Sequence, residues 1–142
     1  MDVLSLLESK NRCLQRFHDL SVAFLRDAEQ GDLKQLELFH ERREAAIRAL
    51  NLYDGKINSI VASLPFEDRT PQLARKVELV LASKDEIVRQ ILVTDERIIR
   101  KIEEEKTKIL KDINSTEKSR SNIGKFKSTW VAPNGEGLDE KL

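Results

Sequence analysis

The chain has 142 residues, 35% of them charged and 5% aromatic, with 25 basic and 25 acidic side chains in balance. That length suits one domain with a real core, and the composition suits helices with narrow apolar stripes better than a sandwich or an α/β sheet. The balanced charge creates no global field towards nucleic acid, the single Cys13 excludes an internal disulfide, and no run approaches the roughly 18 apolar residues of a bilayer span.

The start, MDVLSLLESKNR, lacks the basic residues and continuous apolar run of a signal peptide, so a soluble, cytoplasmic protein is expected. Val3, Leu7, Lys10, Leu14, Phe17, Ser21, Phe24 and Ala28 alternate at spacings of four and three, which places them on one helical seam. Leu6, Cys13 and Leu20 widen that seam and predict a first helix over about 2–30. Gly31 suits the left-handed position after a helix. Asp32, with Gln35 three residues on, reads as the cap of a second helix from 33.

That second stretch, to about 64, carries Leu36, Phe39, Arg43, Ala46, Leu50, Tyr53, Ile57, Ile60 and Leu64, and is expected to tolerate Gly55 in its interior. LPFEDRTP ends it, with Thr70 as the next cap and Pro71 in the following first turn. A third helix over about 71–120 is predicted from Val77, Leu81, Val88, Ile91, Ile98, Ile102, Ile109 and Ile113 near one stripe. Ile87, Ile99 and Leu110 lie beside that stripe, and the pairs Asp85 with Arg89, Glu96 with Arg100 and Glu104 with Lys108 support an exposed face.

Short connections make neighbouring helices antiparallel, so the fold expected is an all-α antiparallel three-helix bundle over residues 1–124, with a disordered tail over 125–142. The helix lengths do not match. At 1.5 Å per residue the third runs about 75 Å against roughly 40 and 48 Å for the others. Its distal part, with Ile109, Leu110 and Ile113, therefore either projects beyond the second helix or breaks near Thr94 or Asn114 and folds back as a short fourth helix. In both cases an apolar stretch is left for a partner to cover.

Chemistry of other kinds is not visible. His18 and His40 lie off the seams and read as solvated, and the carboxylates alternate with Lys and Arg as a solvated surface does. No phosphate loop, nucleophile elbow or metal-ligand spacing occurs, so neither an enzyme nor a cofactor is expected. Residues 106–128 hold seven basic side chains against Asp112 and Glu117. Without an aromatic platform, this pattern fits the negative end of a helix dipole better than it fits nucleic acid.

The stretches KNRCLQRFHDLSVAFL, GDLKQLELFHERREAAIRAL and KDEIVRQILVTDERIIRKIEEEK, in that order, resemble the cytoplasmic chaperones of flagellar type III export, the FliT/FlgN type, over about residues 5–125. The resemblance implies a helical bundle that binds a flagellar export substrate, a hook-associated or filament-cap protein, and delivers it to the export apparatus. It further implies that the C-terminal helical region contacts the substrate's terminal helix, which maps here onto Ile98, Ile102, Ile109, Leu110 and Ile113. Some members dock on the export gate through a tyrosine near the C-terminal end; the nearest aromatics here are Phe126 and Trp130. The competing expectation is a structural coiled-coil subunit, a homodimer that self-associates through the third helix.

Overall fold

The computed structural model describes residues 2–128, which form three helices: α1 (Val3–Glu29), α2 (Leu36–Ser63) and α3 (Pro71–Ser128), with a 3-10 turn at Phe66–Asp68. The expected all-α class holds, and no strand occurs among the described residues. The chain divides into two units, the first ending at Arg100 and the second beginning at Lys101, within α3. That helix passes without a break through Thr94, Asn114 and Gly124, so the fold-back alternative does not occur. Residues 125–128 of the expected tail belong to α3, and its remainder, 129–142, lies outside the described residues.

Local chemistry explains the helix ends. Asp2 caps α1 by accepting a hydrogen bond from the Ser5 N–H at 2.7 Å, and this bond holds its carboxyl below the usual range. At the other end Gly31, at φ +77°, occupies the left-handed position. Its N–H reaches Ala28 O at 2.9 Å, and the Asp32 N–H reaches Asp27 O at 3.0 Å, a Schellman closure. Asp32 does not cap α2 as expected. Its carboxylate accepts from the Lys34 N–H within the turn, and α2 starts only at Leu36, after a Gln35 that offers no side-chain cap. The Thr70 expectation holds: its hydroxyl accepts from the Leu73 N–H at 3.1 Å, with Pro71 opening α3.

Within the first unit α1 is the hub. It contributes eleven buried residues, including Leu6, Leu14, Phe17 and Phe24, whereas α2 contributes only Phe39. Leu14, Phe17 and Ile91 form the central cluster, flanked by Ala46, Ile47 and Leu50 from α2 and by Ile87 and Val88 from α3. Near the first turn, Phe24 and Phe39 stack with ring centroids 4.3 Å apart, while the Lys10–Asp54 ion pair joins the same helices farther along. These two contacts show α1 and α2 antiparallel. Asn11 donates to Val80 O, His18 meets Thr94 and Glu29 pairs with Arg97, so α1 and α3 run parallel.

Polar groups stitch the bundle at its middle. Arg43 of α2 makes two hydrogen bonds to Asp95 of α3, at 2.8 and 2.9 Å, while its guanidinium lies 4.9 Å from the Phe17 ring centroid. The hydrogen bond to Asp95 holds the guanidinium more firmly protonated than usual. His18 is not solvated as its off-seam position suggested; it is half-buried, 3.2 Å from the Thr94 hydroxyl. His40 is exposed, as expected. Ser21 is fully buried and its hydroxyl has no hydrogen-bond partner.

Candidate functional site

The second unit begins at Lys101 and carries most of the positions singled out for partner binding. Neither Gly nor Pro interrupts the chain from here to Gly124, and Glu, Lys, Arg and Leu favour the helix strongly enough that it continues through Asn114-Ser115-Thr116. On it Ile109 is 56% exposed, Leu110 51% and Ile113 36%. Positions 109 and 113 are one turn apart, and Leu110 widens the patch on one side. An open depression of about 300 Å³ is lined by Ile109, Asp112, Ile113, Thr116, Glu117 and Arg120. The apolar side chains thus sit beside both signs of charge.

N-terminal to this patch the helix surface is locked by ion pairs. Lys101 lies 3.4 Å from Glu104 and 3.7 Å from Glu105, and Lys108 lies 3.6 Å from Glu105. The Glu105 Oε1 atom sits between two ammonium groups at distances too long for hydrogen bonds, so it is ion-paired without being hydrogen-bonded. Of the pairs expected along α3, Glu96–Arg100 forms at 3.0 Å, whereas Arg89 turns to Glu86 and Lys108 to Glu105.

The five substrate-contact positions do not behave alike. Ile109, Leu110 and Ile113 are open, and Ile102 is half-buried. Ile98 is a correction, because it is 4% exposed and belongs to the core of the first unit. It lies seven residues after Ile91 and four after Thr94, on the stripe that faces α1, and the Arg97–Glu29 pair at 2.8 Å holds this turn against the end of α1. A partner could reach Ile98 only by unpacking the bundle. Phe126 falls in the last turns of α3, and Trp130 lies outside the described residues.

Sequence reasoning missed other exposed apolar residues. Leu92 stands on the outside of α3 and Phe66 projects from the turn between α2 and α3, while Ile99, placed beside the α3 stripe, is also exposed. Leu81, assigned to the seam, is exposed, while the adjacent Val80 turns inward. Two apolar neighbours satisfy the periodicity equally well, so only the helix register separates them. Among the described residues no cluster of His, Cys, Asp or Glu converges as a metal site, and no helix is long and apolar enough to cross a membrane. No family model, curated protein or solved structure matches the chain.

Proposed function

We propose that the chain is a cytoplasmic chaperone or adaptor. It binds a terminal helix of a flagellar export substrate, a hook-associated or filament-cap protein, and delivers it to the type III export apparatus. The observation that carries this reading is the patch of Ile109, Leu110 and Ile113 held open on a continuous helix between acidic and basic side chains. An amphipathic helix laid along such a patch covers the three apolar side chains and pairs its own charges with Asp112, Glu117 and Lys108. The resemblance of residues 5–125 to the FliT/FlgN type supplies the class of substrate, and Phe126 and Trp130 are the proposed contact with the export apparatus.

Covering three half-exposed Ile and Leu side chains is worth about 3 kcal/mol, or roughly 100-fold in affinity. The test titrates synthetic terminal-helix peptides of hook-associated and filament-cap proteins into the wild type and into Ile109→Asp with Ile113→Asp. The expected result is one-to-one binding that the double variant loses, with its thermal midpoint nearly unchanged because both positions are exposed. Binding by neither protein, or by both equally, defeats the reading. If the double variant instead alters self-association and leaves peptide binding intact, the chain is a coiled-coil subunit that pairs through α3.

A further inference from the structure

A second surface lies in the first unit, at the connection between α2 and α3. Val3, Val61, Leu64, Leu73, Ala74 and Val77 line an open, almost purely apolar groove of about 230 Å³. An apolar cavity of about 150 Å³ already admits a benzene ring, so this groove has room for an aromatic side chain. Beside it, in the turn that joins the groove's own walls, Phe66 is 88% exposed. The same end of one molecule thus carries an unfilled apolar socket and an uncovered aromatic knob.

The knob does not fill its own socket because its turn is pinned. Asp68 N–H bonds to Pro65 O at 3.0 Å and Arg69 N–H to Phe66 O at 3.1 Å, which closes the 3-10 turn. The Arg69 guanidinium, itself part of the groove wall, donates to Leu64 O and Val61 O at 3.3 Å and ties the turn to the last carbonyls of α2. These bonds hold the turn with the Phe66 ring pointing to solvent. Charge follows the same division. Exposed Glu67 and Asp68 adjoin the knob, exposed Arg75 and Lys76 adjoin the socket wall at Ala74, and none of the four is in an ion pair among the described residues.

We propose that this end of the bundle docks a second copy of the chain about a two-fold axis, with Phe66 of each copy in the groove of the other. A two-fold interface is self-complementary, so knob meets socket twice and each acidic pair lies alongside the other copy's basic pair. Two aromatic rings of about 150–250 Å² each, with the groove walls that receive them, bury less than the ~1,200 Å² of a standard stable interface. The dimer is therefore weak and reversible.

Sedimentation equilibrium of the full chain from ~10 μM to ~1 mM tests the proposal across the range expected for a small interface. The wild type should pass from monomer to dimer. Phe66→Ser, and independently Ala74→Trp, which fills the groove, should stay monomeric with unchanged helical signal. Glu67→Lys with Asp68→Lys should abolish the homodimer. Mixing that variant with Arg75→Glu with Lys76→Glu should restore a heterodimer. Ile109→Asp with Ile113→Asp should leave the dimer intact. A wild type that remains monomeric at the top of the range overturns the proposal, as does a dimer that survives both Phe66→Ser and Ala74→Trp or that disappears in the Ile109/Ile113 variant.

Discussion

Replacing Phe17 by alanine removes the side chain on which all three helices converge. Phe17 is 6% exposed and sits in one cluster with Leu14 and Ile91, with Leu50 of α2 and Val88 of α3 against it. Truncating a buried phenylalanine costs about 3–5 kcal/mol, and the value rises when the surroundings cannot collapse into the space. Here helices hold the ring from three sides, and Arg43 above it is fixed by two hydrogen bonds to Asp95, so little collapse is available. Losing the guanidinium contact adds about 0.5 kcal/mol, which brings the expected loss to roughly 4–5 kcal/mol. Leu50 is only half-buried, so Leu50→Ala should cost about 2 kcal/mol, near the lower limit for such truncations. Equilibrium urea unfolding followed by far-ultraviolet circular dichroism measures both, provided the dependence on urea stays the same. A loss below about 1 kcal/mol for Phe17→Ala, or one smaller than for Leu50→Ala, would show that the three helices do not meet at this ring.

Two further substitutions probe the polar groups inside the first unit. A double-mutant cycle of Arg43→Gln and Asp95→Asn should give a coupling of about 1–2 kcal/mol, above the usual exposed pair because the contact is bidentate and both side chains are less than a third exposed. A coupling under ~0.3 kcal/mol in the same urea assay would reduce the pair to an incidental surface contact. Ser21→Ala should stabilise the fold by about 0.5–1 kcal/mol, since it removes a buried hydroxyl that has no partner and leaves the helix contact unchanged. A clear destabilisation in thermal unfolding would mean that this hydroxyl is satisfied in solution.

The sequence showed the bundle where one residue type dominated one face. In α1 the seam from Val3 to Ala28 is interrupted only by Lys10 and Ser21, and its apolar members Val3, Leu7, Leu14, Phe17, Phe24 and Ala28 are all buried, whereas Leu20 beside it is half-buried. Side-chain competition was harder to read. Asp32 carried a cap signature, but the Schellman turn at Gly31 used its backbone N–H and its carboxylate turned to Lys34. His18 lies off the apolar seam, yet a neighbouring helix brings Thr94 within hydrogen-bond reach, which no periodicity within α1 can indicate. Ile98 and Ile109 belong to one apolar series in α3 and look equivalent along the chain. What separates them is packing: Ile98 is buried in the first unit, beside the Arg97 that pairs with Glu29 of α1, whereas Ile109 is exposed. Phe66 was passed over because an aromatic residue in a short turn has no periodicity to betray its exposure.

The unequal share of burial between the helices also affects how the chain is made. α1 leaves the ribosome first, and α2 can pack on it once Ser63 has emerged, but Phe17 is not enclosed until Ile91 arrives from α3. The thirty or so residues from Ser63 to Thr94 take about 2–6 s at 5–20 residues per second. Helix formation and collapse are complete within microseconds to a fraction of a millisecond. For thousands of folding times the nascent hairpin therefore displays the flank of α1 that α3 will later occupy, with Leu14 and Phe17 open to any apolar surface nearby. During its own synthesis this protein has the same need for temporary cover that its distal helix is proposed to meet in its substrates.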